Sequence, residues 1–187
     1  YRNQYLDKDD TNGIDETYAR LKILNTGANY EALVTLLHAN VNNGFDAFSL
    51  DNTLNTLSDE PGFDRQKTNA LAARITLNLD KNRLEILGTL SQSELGYGYD
   101  EDWSFVGIHP YGYQSTDHYL RDRSHQALEV RLLPKAVGEA FNERGDWVIG
   151  LYRTQQGTEL TRLYTFAPGP YTSDYQNDAT ALYAELD

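Results

Sequence analysis

Apolar side chains fall at every second position in four stretches of this chain, the spacing of a β-strand with one greasy and one wet face. From Leu71 to Leu79, one face carries Leu71, Ala73, Ile75, Leu77 and Leu79, and the other Ala72, Arg74, Thr76 and Asn78. Arg83 to Ser91 sets Leu84, Ile86, Gly88 and Leu90 against Arg83, Glu85, Leu87, Thr89 and Ser91. Only Asp80-Lys81-Asn82 separates these two stretches, which predicts a tight hairpin. The same alternation places Ala19, Leu21 and Ile23 opposite Tyr18, Arg20 and Lys22, and Leu128, Val130 and Leu132 opposite Glu129 and Arg131. Three further strands are expected at Tyr30 to Asn40, Trp147 to Gln155 and Ala179 to Leu186, where apolar residues on both faces blur the pattern. Lys135 to Asn142 has some helical character but follows Pro134, and is read as part of a turn.

The connections alternate in length. Those at 25–29, 80–82 and 134–145 are short, whereas those at 41–65, 93–123 and 156–177 are long and rich in Gly, Asp, Asn, Ser and Tyr. Structureless links beyond ~12–15 residues are unusual in a compact domain. They are ordinary in a transmembrane β-barrel, with short turns at the periplasmic end and long loops outside. The expected fold is therefore all-β: an antiparallel up-and-down meander forming a portion of a transmembrane β-barrel. About seven strands fall short of the ~8 that the smallest barrels need. The segment before the first strand is expected outside the cell and the last strand to end at the periplasmic side, so 1–187 reads as a piece of a longer barrel domain. The chain starts at Tyr1 and contains no Met, which fits a mature product or an excised fragment.

Composition narrows the alternatives. Asp+Glu 28 against Lys+Arg 16 gives a net charge of −12, so phosphate backbones would be repelled and nucleic acid is not expected as a partner. There is no cysteine, hence no disulfide framework, thiolate metal site or cysteine nucleophile. No run approaches the ~20 apolar residues of a membrane helix. A mean hydropathy of −0.63 does not count against a barrel, whose strands alternate and average out.

Candidate chemistry is sparse. The acidic run Asp7 to Glu16 resembles a calcium loop in composition, but placing Gly13 at the sixth position puts Lys8 first and Ala19 twelfth, which removes two ligands. Asp100, Glu101 and Asp102 beside Trp103 have a glycosidase inventory, yet neighbours on an extended chain point to opposite faces, and a ligand-contacting or merely hydrated external loop is expected instead. His38, His109, His118 and His125 show no ligand spacing, and neither a nucleophile elbow nor a phosphate-cradling glycine motif occurs. The chain is not expected to be an enzyme, or to hold a metal or cofactor.

Tyrosine is abundant, at 14 residues. Tyr18, Tyr30, Trp147, Tyr152 and Tyr183 fall near strand ends, where an aromatic ring suits the lipid interface. Tyr97, Tyr99, Trp103, Tyr111 and Tyr113, with Tyr119, fall in one long external loop. All six are read as a candidate ligand-capturing surface, the first five as the ligand-contacting residues, and packing of the loop against its neighbours is the alternative use of such rings.

Several stretches resemble the barrels of TonB-dependent outer-membrane receptors of Gram-negative bacteria. They are Tyr1-Arg2-Asn3 with Asp9-Asp10-Thr11-Asn12 and Asp15-Glu16; Asp46-Ala47-Phe48-Ser49-Leu50-Asp51-Asn52 with Ser58-Asp59-Glu60-Pro61-Gly62; Tyr99 to Trp103; Glu129 to Leu132; and Asp146 to Tyr152. The resemblance implies a twenty-two-stranded barrel, an internal plug, and TonB-powered uptake of a scarce ligand such as an iron–siderophore complex. Neither plug nor TonB-engaging segment is visible, so TonB would act through a region outside this chain. The competing reading is a soluble secreted β-sandwich binding carbohydrate through its Tyr/Trp loops, since antiparallel sheets also bury one face and wet the other.

Overall fold

The computed structural model describes residues 1–135 and 146–186. Among these there is no helix; the chain forms β1 (Arg2–Asn3), β2 (Glu16–Thr26), β3 (Tyr30–Phe45), β4 (Asn55–Thr56), β5 (Gly62–Asn78), β6 (Asn82–Asp100), β7 (Thr116–Pro134), β8 (Trp147–Tyr164) and β9 (Tyr171–Leu186). Seven of them make one sheet in the order β2-β3-β5-β6-β7-β8-β9, an antiparallel meander with β2 and β9 as free edges. All seven expected strands are present. Most of Lys135 to Asn142 lies outside the described residues.

The strands run further outward than the alternation suggested. The long connections shrink from 41–65 to 46–61, from 93–123 to 101–115, and from 156–177 to the six-residue turn 165–170. The reason is chemical. Beyond Ser91, β6 continues as Gln92-Ser93-Glu94 and pairs with the equally polar Asp122-Arg123-Ser124 of β7, so both faces are wet and the period-two signal disappears while the ladder continues. At ~3.3 Å per residue, the 19 residues of β6 extend about 60 Å, more than twice a ~25 Å lipid-facing band.

Cross-strand register assigns the faces, because directly paired residues share a side. One face collects Tyr30, Leu77 and Leu84 with Leu132 and Ile149; the next row adds Ala32, Ile75, Ile86, Val130, Leu151 and Leu182. These side chains are unsheltered, Leu90 at 52 %, Leu151 at 50 % and Leu182 at 79 % exposure. No second sheet packs on this face among the described residues. A sandwich requires such a layer, so the β-sandwich reading is overturned as a fold. The opposite face carries charged pairs: Arg74 with Glu31 at 3.2 Å, Glu85 with Arg83 at 3.1 Å and with Arg131 at 3.2 Å.

The outer border of the apolar face is slanted. It lies at Ala19 in β2, whose row runs through His38, Asn69, Gln92, Ser124 and Gly157 to Gln176 of β9. In β9 the last apolar residue on that face is Leu182, six residues from Gln176. One residue per strand step, ~3.3 Å along for ~4.8 Å across, corresponds to a strand tilt of about 35°. Membrane barrels have strands tilted by ~35–45°, so a band that crosses the hydrogen-bond rows obliquely lies level in the membrane.

The same register corrects the aromatic assignment. Tyr30 and Trp147 share the apolar face, but Tyr18, Tyr152 and Tyr183 lie on the charged face, where the Tyr183 hydroxyl donates to Glu129. Side-chain parity, invisible to nearness to a strand end, separates the two groups.

Candidate functional site

The candidate site lies at the outer ends of β6 and β7, well beyond Leu90 and Leu128, where the apolar face ends in those strands. Tyr97 and Tyr99 are two apart on β6 and so project to the same charged-face side. Tyr97 pairs with Tyr119 and Leu95 with Arg121 across the ladder, which places the Tyr119 and Arg121 side chains beside them. Loop 46–61 contributes Phe48, and loop 101–115 contributes Glu101 and Trp103. Together these residues line an open cavity of about 700 Å³.

The walls are built from stacked rings. Phe48 lies flat on Trp103, with centroids 4.9 Å apart and an interplanar angle of 10°, and meets Tyr99 edge-on at 6.0 Å. Phe45 at the end of β3 supports Tyr97 at 5.1 Å. Trp103 adopts a left-handed backbone, φ 61°, which is strained for a bulky residue. The Asp100 carboxylate holds it there, with Oδ1 accepting the amides of Asp102 and Trp103 at 3.1 and 3.2 Å.

Beneath the rings is a charge-assisted cluster. Asp117, 2 % exposed, accepts Arg162 Nε at 2.8 Å and Nη2 at 2.7 Å, and also the hydroxyls of Tyr119 at 2.9 Å and Tyr99 at 3.4 Å. The Arg162 guanidinium holds the Asp117 carboxyl below its ordinary range, with the tyrosine hydroxyls helping against burial. Burial, and then the Asp117 charge, raise the Tyr99 phenol. Arg162 is sandwiched by Tyr119 at 5.3 Å and Tyr164 at 5.0 Å, and Arg121 faces Tyr119 at 5.5 Å. The arrangement can stack a flat ligand group and meet an acidic one at Arg121.

Of the five candidates read from the sequence, the structure brings Tyr97, Tyr99 and Trp103 together and leaves two apart. Tyr97 and Tyr99 are on a strand, not in a loop. Tyr111 is 97 % exposed at the tip of loop 101–115. Tyr113 stacks on Phe166 at 5.5 Å and donates to Glu101 Oε2 at 2.9 Å, bracing the loop. Tyr119, read with the same loop rings, also lines the cavity; Phe48 and Arg121 were not among the candidates, and the i, i+2 spacing of Arg121 from Tyr119 was the available signal, since it matches that of Tyr97 and Tyr99.

The neighbouring carboxylates are another correction. The chain turns at 101–104, so Asp100 and Asp102 are both buried, 5 % and 6 % exposed, where a hydrated loop was expected. Asp102 accepts Ser104 N at 3.0 Å and Ser115 N at 2.8 Å. No group of three or more acidic or histidine side chains among the described residues is disposed to hold a metal ion. A cavity of about 1,020 Å³ lies on the other face, across the upper rim of the apolar belt around Leu36, Leu71 and Leu90. It has none of the stacked rings found here.

An unclosed, tilted antiparallel wall with an unsheltered apolar belt and a polar inner face has the architecture of a membrane β-barrel section. Comparison with solved structures agrees. The fold is similar to that of the ferric yersiniabactin uptake receptor FyuA from Yersinia pestis, with a TM-score of 0.75 and 15 % identity, over 99 % of this chain and 29 % of the receptor chain. This chain thus spans less than a third of that receptor's length. No family model matches the sequence. No curated protein matches it.

Proposed function

We propose that residues 1–187 form part of the barrel domain of a TonB-dependent receptor in the outer membrane of a Gram-negative bacterium. In this reading the chain supplies wall and external loops for uptake of a scarce small molecule such as an iron–siderophore complex, and carries out binding and passage, not catalysis. The observation that carries it is the slanted apolar belt, which fits a tilted wall in lipid. The receptor of similar fold is named for ferric yersiniabactin uptake, which supports the choice of ligand class. Tyr97, Tyr99, Trp103, Phe48 and Arg121 are the ligand-contacting surface, facing the lumen at its outer mouth. Outer-membrane lipid contacts the belt. TonB acts through a plug supplied by residues other than these.

Spin labels test the reading. In reconstituted vesicles, labels at Leu77 and Val130 are expected to respond to a lipid-soluble relaxer, and labels at the adjacent Thr76 and Glu129 to a water-soluble one. Equal response of all four to the water-soluble agent would sink it. The protein should also need detergent for extraction and migrate anomalously on a gel when unheated.

A further inference from the structure

The outer cap holds buried carboxylates that no cation offsets. Asp46, Asp100 and Asp102 are 4 %, 5 % and 6 % exposed, and none forms an ion pair among the described residues. Asp46 and Asp102 are stabilised by protein donors: Asp46 Oδ2 accepts Asn3 Nδ2 and Thr56 Oγ1, both at 2.8 Å. Asp100 differs. Its Oδ1 is satisfied by two amides, whereas Oδ2 is buried without a partner. Ser58 Oγ, close enough to Asp100 to favour its ionised form, and Asp59 Oδ1, both from the segment that follows β4, are also buried without a well-formed hydrogen bond.

That segment is held to loop 101–115 close by, through Asp59 N donating to Ser104 O at 3.0 Å. The groups around Asp100 are almost all acidic. Asp59 comes from the segment after β4, and Glu101 and Asp102 from loop 101–115. On β7, Thr116 is its register partner, the next residue Asp117 is committed to Arg162, and His118 lies against Phe63. His109 of the loop lies against Tyr113. An ionised Asp100 has two amides but no cation beside it and faces charges of its own sign, while a protonated one makes Oδ2 a donor on the side of Ser58 and Asp59.

We propose that Asp100 is a proton-operated latch: protonated, it ties the 57–61 segment to loop 101–115, and so holds together the two loops that supply Phe48 and Trp103 to the candidate site; ionised, it repels Asp59 and Asp102 and loosens the cap. Burial pushes its pKa up to about 7; the charges of Asp102 and Asp59 push the same way, and hydrogen bonds from the Ser58 hydroxyl and the Asp102 amide oppose them. In the open cap the group reverts to an ordinary carboxylate near ~4. A raised pKa in the closed form favours closure most at low pH, and that advantage is lost as pH rises toward 7. The closed-to-open ratio should fall about tenfold per pH unit over this window and flatten above it.

Hydrogen–deuterium exchange on the detergent-solubilised protein, corrected for intrinsic exchange rates, reads this directly. Between pH 5 and 8, protection of 46–61 and 101–115 should fall and then flatten near pH 7, while the β5–β6 belt stays constant. Asp100→Asn, which keeps the acceptor and adds a permanent donor, should hold the loops protected throughout. Asp59→Asn should move the break to lower pH. The same pH profile in wild type and D100N overturns the proposal. So does recovery of protection at pH 8 on adding calcium chloride, which would assign the site to a cation.

Discussion

The apolar belt and the outer cap solve opposite problems within one sheet. In the belt, large hydrophobic side chains stand exposed in rows, with no protein layer over them. In the cap, the polar residues Asn3, Thr56, Ser104 and Ser115 are fully buried, along with Asp46, Asp100, Asp102 and Asp117. The only buried hydrophobic residues among those described are Ala39 and Val41. A water-soluble domain does the reverse, burying its aliphatic residues and wetting its acids. The difference teaches that the belt has no protein partner among the described residues, which suits the lipid contact proposed above. The cap stands in water and is held by hydrogen bonds between chain segments. Asn3 shows the device: its side chain donates to Asp46 and to Ser58 O and accepts from Leu6 N, so β1 is fastened beside β4 without an apolar core.

The largest expected effect comes from putting a charge into the belt. Ile86→Lys should destabilise the folded protein in lipid by ~2–4 kcal/mol, while Leu87→Lys, one residue away on the inner face, should cost far less. Urea unfolding in vesicles measures both, and equal penalties would break the assignment of faces. Next is Asp46→Ala, which strands the buried Asn3 amide and Thr56 hydroxyl at a cost of ~1–3 kcal/mol each. Faster exchange confined to 1–15 and 46–61, with the belt untouched, is the expected result; global unfolding would show that the two regions are not separable.

A third effect is set by acid. Because Arg162 holds the Asp117 carboxyl low, the stabilisation is present above the ordinary carboxylate value of ~4 and is lost as pH falls below it. The outer β7–β8 ladder should loosen in that range, and Arg162→Gln should abolish the acid step, as read by exchange at 116–119. This window lies below the one assigned to Asp100 and has the opposite sign, so one titration distinguishes them. The smallest effect concerns the cavity. Trp103→Ala should weaken binding of aromatic ferric siderophores about three- to tenfold through lost stacking, and Tyr111→Ala should leave it unchanged. Equal losses would return the site to the loop tip.

The sequence alone was enough for the seven strands and their antiparallel order, because the belt has one apolar and one polar face and the amino acids alternate with them. Leu71 to Leu79 and Leu84 to Leu90 show this most clearly. Above the belt both faces are wet, so the outer halves of β5 to β8 leave no periodic trace and have the composition of loops. The site was half legible: Tyr97, Tyr99 and Trp103 stood out by residue type, but membership in the cavity depended on cross-strand register, which paired Tyr97 with Tyr119 and excluded Tyr111. The burial of Asp100 and Asp102 was decided only by tertiary structure. Charge and spacing describe a hydrated acidic turn, and the folding of 46–61 and 101–115 over it, through contacts more than 40 residues apart, takes the water away.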